Sequence, residues 1–289
     1  MDHETRPPEG RPAPATSGAA SNLVMRLATA AVGVPVILAL VYVAPPWGFY
    51  LLVLAAALVG AQELFAMTHP GDRVSQAVGV LVSAAASVAV YRSSGDARVL
   101  LTVLVVVPLF GPLFTLARLG VVETAALRAC ALGFGPLFVA VPLTLLALLR
   151  VNLGAAGSGS VILALGLSWF ADTGAYFAGR FLGKHKLYEA VSPKKTVEGA
   201  LGGLVASIVW ALLGCFWFLP TLPVAHAIPL GLVGGVLGQA GDLAESLLKR
   251  STGVKDSGAI VPGHGGILDR VDALMVTSTV VYLYGVWIR

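Results

Sequence analysis

The strongest constraint on the fold of this chain is a series of apolar stretches, each close to the length that crosses a membrane. A spanning helix needs about 20 mostly apolar residues. Turn-forming Pro, Gly, Ser and Asp residues separate nine such stretches. The stretches lie near residues 24–44, 49–68, 75–91, 99–117, 127–149, 160–180, 197–219, 224–245 and 270–288. The pattern predicts an all-α integral membrane protein with about nine transmembrane helices.

Composition supports the same class. The chain is 57% hydrophobic and only 12% charged, whereas a soluble domain typically carries about 25% charged residues. Its mean hydropathy is +0.85. We therefore expect residues 22–289 to form one polytopic membrane domain. Residues 1–21, rich in Pro, Ala, Gly and Ser, are predicted to form a disordered cytoplasmic tail.

The distribution of Lys and Arg predicts the orientation of the spans. If the N-terminus is cytoplasmic and there are nine spans, fifteen of these residues fall on the inner side and four on the outer side. Positive charge normally collects in cytoplasmic loops, so the net charge of +4 does not indicate nucleic-acid binding. Polar clusters at 180–196 and 246–270 then face the cytoplasm, where a nucleotide substrate would be found.

Glycine pairs four residues apart recur in the last third of the chain and predict close helix packing around a polar site. The pairs are Gly199/Gly203, Gly231/Gly235 and Gly234/Gly238. The sequence shows no convincing internal repeat of the kind found in many transporters.

A dense polar run between residues 241 and 272 interrupts the last two apolar stretches. A charged side chain costs roughly 2.5–3.5 kcal/mol at a helix centre in lipid, so these residues must be offset by metal, ligand or one another. Asp242, Glu245, Ser246 and Lys249 are spaced i, i+3, i+4 and i+7 and would share one helix face. The alternative to a binding site is salt bridging of Asp242 or Glu245 with Lys249.

Two further carboxylates follow a glycine-rich connector. Asp269 and Asp272 are spaced i, i+3 and are expected to open the last helix. Carboxylates from two facing helices can bind Mg²⁺, which takes oxygen ligands and substrate phosphates. The alternative for Asp269 is an ion pair with Arg270. The connector, residues 263–266, can offer backbone N–H groups to a phosphate, and His264 is either a phosphate contact or a packing residue at the helix start.

A second cluster begins inside the sixth apolar stretch. Asp172, Tyr176 and Arg180 are spaced by four and would line one stripe of a helix. A carboxylate inside a span indicates a functional site by default, and the alternative is an ion pair with the Arg180 region. Lys194 and Lys195 stand beside Thr196, which can cap the next helix, and we expect these lysines to bind a polyphosphate.

At these residues the sequence resembles the phosphatidate cytidylyltransferase family, also called CDP-diacylglycerol synthases. The family signature runs from Ser-x-x-Lys-Arg through Lys-Asp and a small residue to His-Gly-Gly-x-x-Asp-Arg-x-Asp. Its counterparts here are Ser246 to Arg250, Lys255 to Ser257 and His264 to Asp272. Val261, where a larger apolar residue is usual, is a conservative departure. The resemblance covers roughly residues 160–275, which would be the catalytic part.

The resemblance implies that CTP and phosphatidic acid react to give CDP-diacylglycerol and pyrophosphate, with Mg²⁺ and a second cation in a paired-metal site. It also implies a homodimer and a multi-pass protein of the inner membrane with its active site on the cytoplasmic side. The implied catalytic residues are Asp242, Asp269, Lys249 and His264. The implied metal ligands are Asp242 and Asp269, with Asp272 and Glu245 as weaker candidates. The implied substrate-binding residues are Asp172, Lys194, Lys195, Ser246, Arg250, Lys255, Gly265, Gly266 and Arg270.

Three other protein classes share some of these features. A transporter also needs intramembrane carboxylates, but the polar motifs here cluster on one predicted side. A CDP-alcohol phosphotransferase would carry Asp-Gly-x-x-Ala-Arg, and a polyprenyl transferase would carry Asp-rich motifs; this sequence has neither. Consumption of CTP distinguishes the cytidylyltransferase from all three.

Overall fold

The computed structural model describes residues 31–258 and 265–288, so the predicted tail at 1–21 lies outside the described residues. The described residues from 40 onward form one compact unit, and residues 31–39 belong to a separate unit. Its helices are α1 (Ala31–Tyr42), α2 (Pro46–Thr68), α3 (Arg73–Arg92), α4 (Ala97–Ala117), α5 (Ala125–Gly135), α6 (Val141–Asn152), α7 (Gly157–Leu182), α8 (Val197–Phe216), α9 (Val224–Ser251) and α10 (Leu268–Trp287). A single π-helical turn, Pro136–Ala140, joins α5 to α6.

The all-α membrane class is confirmed. Seven helical segments in the described part of the chain are long and apolar enough to cross a membrane. One of these segments combines α5 and α6, and the others are α2, α3, α4, α7, α8 and α9. The first and ninth predicted stretches coincide with α1 and α10, which fall outside those seven. The multi-pass architecture is therefore established, while the count of nine spans stays a prediction.

The predicted end of the eighth stretch at residue 245 is wrong. Helix α9 continues to Ser251 and carries the polar residues of the motif through its last two turns. These polar residues are tolerated because Glu245, Ser246 and Lys249 are buried against protein. The backbone of the helix is satisfied within it and, in the last turn, by the N–H groups of residues 252–254, so mainly the side chains need partners.

A small β-hairpin departs from the all-α prediction. Strands β1 (Lys186–Tyr188) and β2 (Ser192–Thr196) pair antiparallel between α7 and α8. The hairpin feeds directly into α8, where the Thr196 side chain caps the helix by accepting a hydrogen bond from Gly199 N at 3.1 Å. The expectation that Thr196 caps this helix is confirmed, and the cap fixes where Lys194 and Lys195 leave the strand.

The glycine pairs pack helices closely, as predicted. A Cβ atom on Gly203 would lie 2.8 Å from the backbone oxygen of Ala171 in α7, and one on Gly231 would lie 2.7 Å from Ile208 Cα in α8. Such distances leave no room for a side chain. Helices α7, α8 and α9 therefore meet backbone to backbone, which brings the polar residues of α7 and α9 near the hairpin.

The connections of unit 40–289 gather at two ends of the helices. At one end, Arg250 Nε donates to Val191 O of the hairpin at 3.3 Å, and a cavity is bordered by residues 67–72, 120–128 and 251–252. At the other end, Asn152 Nδ2 donates to Ser94 O at 2.8 Å and to the Tyr282 hydroxyl at 3.0 Å. The loops predicted to be cytoplasmic thus lie together, apart from those predicted to be external.

Candidate active site

A buried lysine between two carboxylates forms the centre of the polar region. Lys249 of α9 lies 2.6 Å from Asp269 Oδ1 of α10 and is also in ion-pair contact with Glu245, one turn earlier in α9. Glu245 is fully buried and the side chain of Lys249 is only 11% exposed. Both carboxylates are negative neighbours of one cation, so the three charges partly compensate one another where water is excluded.

The position of Asp269 is fixed by the chain that leads into α10. Its Oδ2 atom accepts hydrogen bonds from Ser257 N at 3.1 Å and Gly266 N at 2.9 Å. Gly265 adopts a φ of +78°, in the left-handed region that favours glycine. A Cβ at Gly265 would also lie 2.7 Å from Asp269 Oδ2. The glycines of the motif therefore let the backbone surround one carboxylate, whereas a phosphate contact by this connector stays a prediction.

A second ion pair lies nearer the hairpin. Lys195 Nζ of β2 is 2.5 Å from Asp242 Oδ2 of α9, and both side chains are about a quarter exposed, at 28% and 25%. Ser246 Oγ donates to Asp242 Oδ1 at 3.5 Å. The polar face predicted for α9 is thus divided, with Asp242 turned to the hairpin and Glu245 and Lys249 packed towards α10.

A cavity of about 400 Å³, bordered by several charged side chains, opens beside this second pair. Its volume lies within the ~300–1,000 Å³ typical of small-molecule sites. The predicted stripe on α7 is confirmed, because all three of its members border the cavity. The polar and charged lining residues are Asp172, Tyr176, Arg180, Lys194, Lys195, Thr196, Gln239 and Asp242. No ion pair joins Asp172 to Arg180 among the residues that the structure describes.

Two carboxylates that border this cavity, Asp172 and Asp242, lie near a third carboxylate, that of Asp272. Asp172 of α7, Asp242 of α9 and Asp272 of α10 are close enough to repel electrostatically. Asp272 Oδ1 accepts a hydrogen bond from Ala273 N at 2.6 Å. Oxygen ligands with surplus negative charge are what Mg²⁺ prefers. Within the described residues, however, no three His, Cys, Asp or Glu side chains converge as a ready metal cage.

These carboxylates fit a cation bound through one or two protein oxygens and completed by substrate phosphates and water. Asp242 fits this role because it borders the cavity. Asp269 fits less well, since both of its oxygens already accept hydrogen bonds. Glu245 is fully buried, and its Oε2 atom is in ion-pair contact with Lys249. It would therefore have to give up part of this ion pair to bind a cation.

Other predicted residues lie around the two ion pairs rather than between them. The Arg250 guanidinium donates to the backbone oxygens of Val191 and Val254. Lys255 and Arg270 are exposed, and Arg270 is close enough to Asp172 to stabilise its charge. His264 lies outside the described residues. Phosphate contacts by all four of these predicted residues stay predictions.

One buried carboxylate was not predicted. Glu63 is the single charged residue of α2 and only 4% exposed. It accepts hydrogen bonds from Ser257, Ile267 and Leu268, which flank the glycine-rich connector. The available signal was the rule that an ionisable residue inside a span marks a functional site, which pointed to Asp172 and applies equally to Glu63.

Comparison with known proteins identifies the family of this chain. The model of the Cytidylyltransferase family matches residues 24–288, nearly the whole sequence. The chain belongs to the cytidylyltransferase family. The match extends well beyond residues 160–275, to which the motifs had confined the resemblance, and it includes Glu63 and α2.

Named relatives agree with the family. The phosphatidate cytidylyltransferase of Synechocystis sp. is 48% identical over 125 residues, which are 43% of this chain and 42% of that protein. The phosphatidate cytidylyltransferases of Staphylococcus haemolyticus and Staphylococcus aureus are each 46% identical over 115 residues, or 40% of this chain and 44% of each relative. The matched segment therefore spans less than half the length of these relatives.

The buried lysine leads to a stability prediction. We expect Lys249→Met to lower the free energy of unfolding by about 3–5 kcal/mol, because it leaves Glu245 and Asp269 buried without their cation. Adding Glu245→Gln to this variant should recover part of the loss, since one uncompensated charge is removed. Denaturant titration in mixed micelles measures both changes.

Lys184→Met is the matched control, because Lys184 is exposed and should change stability by less than about 0.5 kcal/mol. If Lys249→Met is as stable as the Lys184→Met control, the buried ion pairs do not carry the energy assigned to them.

Proposed function

We propose that this protein transfers the cytidylyl group of CTP to phosphatidic acid, giving CDP-diacylglycerol and pyrophosphate. The observation that carries the proposal is the cavity with charged side chains beside the Lys195–Asp242 pair, in a chain whose family and named relatives are cytidylyltransferases. The bond that forms joins a phosphate oxygen of the lipid to the α-phosphorus of CTP. The bond that breaks releases the β- and γ-phosphates as pyrophosphate.

The cavity has the charges that such a substrate requires. Lys194, Lys195 and Arg180 supply positive charge to its lining, and Asp172 and Asp242 supply carboxylates. Phosphoryl transfer depends mainly on positioning and on stabilising charge, so a dedicated base is not needed. The lysines would orient the triphosphate and hold the charge of the departing pyrophosphate.

A bound Mg²⁺ would supply charge neutralisation for the two reacting phosphates. We assign it to Asp242, with Asp172 and Asp272 as neighbouring carboxylates and Glu245 as a further oxygen source. The paired-metal arrangement with Asp269 and a second cation, implied by the family resemblance, is retained as part of the proposal. Lys249 would then hold Glu245 and Asp269 in place.

The membrane setting suits a lipid substrate. The lipid-facing surfaces of the apolar helices can keep the acyl chains of phosphatidic acid in the bilayer while its phosphate reaches the polar residues at the helix ends. We propose nine spans with a cytoplasmic N-terminus, residence in the inner membrane, and a cytoplasmic active site. The charge distribution supports this orientation, and the grouping of the loops at two ends supports the alternation of the spans.

The reaction is tested by pyrophosphate release from purified protein in detergent, given CTP, Mg²⁺ and phosphatidic acid. We expect release that needs all three and that stops when EDTA removes the metal. Asp242→Asn, Lys195→Met and Asp269→Asn should each lower kcat by about 10²-fold or more, by analogy with loss of one electrostatic contact to a transition state.

Glu123→Gln is the surface control, since Glu123 is exposed in the short turn before α5. Full activity of the Asp242→Asn variant would show that the cavity carboxylate does not take part in the reaction. If the folded wild-type protein consumes CTP only with another lipid acceptor, the proposed lipid substrate is wrong. A folded protein that never consumes CTP would leave transport as the better hypothesis.

The proposed topology is tested with single cysteines in a protein whose Cys130 and Cys215 are replaced by serine. In right-side-out membrane vesicles, a membrane-impermeant maleimide should label Thr221→Cys, in the loop between α8 and α9. It should not label Glu123→Cys or Glu189→Cys until detergent opens the vesicles. All three positions are exposed in the structure, so labelling of Glu189→Cys in sealed vesicles would invert the topology.

A homodimer is also proposed, on the family resemblance. We expect light scattering of the detergent-solubilised protein, after subtraction of the micelle, to give twice the chain mass of 29.7 kDa. A protein mass equal to one chain, at concentrations where the enzyme is active, would exclude the dimer as the working form.

A further inference from the structure

Glu63 is a buried acid in an otherwise uncharged helix. A polar group in such surroundings is strongly unfavourable unless hydrogen bonds satisfy it. Both of its oxygens are satisfied by one short region of chain. Oε2 accepts from Ser257 Oγ at 2.8 Å and from Leu268 N at 2.8 Å, and Oε1 accepts from Ile267 N at 3.0 Å.

These contacts cap the N-terminus of α10 from another helix. Leu268 is the first residue of α10, and the first N–H groups of a helix have no partners within it. The N-terminal end of a helix also attracts negative charge. Within the described residues, the side chain of Ile267, which stands at the usual cap position, provides no cap. Glu63 performs that role in its place.

The backbone around the cap is shaped to fit the Glu63 carboxylate. A Cβ atom on Gly258 would lie 2.5 Å from Glu63 Oε1, and one on Gly266 would overlap Glu63 Oε2 and Ser257 Oγ. Neither glycine has a left-handed φ, so conformation does not require glycine there. Glycine is required at both positions because the Glu63 carboxylate approaches the backbone too closely for a Cβ atom.

The same region of chain holds Asp269. Ser257 donates its hydroxyl to Glu63 and its backbone N–H to Asp269 Oδ2, and Gly266 N donates to the same Oδ2 atom. Asp269 in turn is 2.6 Å from Lys249. A displacement of the backbone at Ser257 or Gly266 therefore moves Asp269, and with it the partner of the buried lysine.

We propose that Glu63 is a positioning residue. It sets the geometry of the Asp269–Lys249 pair by binding the chain at Ser257 and again at residues 267–268, next to Asp269. The effect on catalysis rests on the function proposed above, whereas the clamp itself does not. The proposal makes α2, which lies outside the motif region, part of the catalytic apparatus. It also gives the buried carboxylate a role beyond holding α2 against α10.

Glu63→Gln tests this with little change in shape. The substitution replaces one acceptor oxygen by an NH₂ group, which then faces a backbone or hydroxyl donor. Hydrogen exchange of the peptide containing Ile267 and Leu268 should become about tenfold faster or more, the loss expected for a buried hydrogen bond. In the pyrophosphate assay, KM for CTP should rise and kcat/KM should fall by about tenfold or more, since small displacements of positioning groups have large effects.

Two further variants separate positioning from general loss of structure. Ser257→Ala removes one of the three hydrogen bonds and keeps the backbone N–H to Asp269, so its effect on exchange and kcat/KM should be smaller, about two- to tenfold. Glu123→Gln, the same chemical change on the surface, should alter neither quantity. A variant that merely unfolds in part loses active molecules and lowers apparent kcat, but the remaining molecules keep the wild-type KM.

The outcomes are distinct. Faster exchange together with a raised KM supports positioning by Glu63. Faster exchange with an unchanged KM shows a clamp that does not serve the site, and unchanged exchange shows no clamp; either result overturns the proposal. If wild-type protein fails to use CTP with any lipid acceptor, the proposed function fails, and the exchange measurement alone decides whether Glu63 clamps the chain.

Discussion

The arrangement of the polar region depends on one buried cation, the Lys249 ammonium group. It is held between Glu245 and Asp269, and those three side chains are nearly withdrawn from solvent. Removing one partner of such a group is far more unfavourable than removing the whole group. The ends of α9 and α10 are therefore tied together where the bundle carries its charges, and the cavity next to them has one firmly fixed wall.

The sequence predicted which residues of α9 face the site but could not predict how they divide. The i, i+3, i+4 and i+7 spacing places Asp242 and Lys249 on one face, and the salt-bridge alternative for Glu245 with Lys249 is present in the structure. The partner of Asp242, however, is Lys195 from a hairpin that local pattern did not indicate. Strands of three and five residues, one containing proline, are too short for a periodic signal.

Glu63 shows a different limit of sequence reasoning. Its position inside an apolar helix was visible, but its partners lie about 200 residues further along the chain, and two of them are backbone N–H groups. Almost any residue type can supply a backbone N–H donor, so such partners cannot be recognised from the sequence. The glycines that accommodate the carboxylate were visible too, yet a glycine needed for space and a glycine needed for a turn look the same in a sequence.

The two lysine ion pairs are not equivalent, and the difference bears on which lysine would contact the nucleotide in the proposed reaction. Lys249 has two carboxylate partners and is almost fully enclosed, so an incoming phosphate would have to compete with both of them in a region without water. Lys195 has one carboxylate partner, is 28% exposed and borders the cavity. Its ammonium group can turn to a phosphate while remaining near Asp242, with little further loss of solvation. In the proposed reaction, this geometry favours Lys195 as the phosphate contact and Lys249 as the fixed charge that keeps the acidic residues in place.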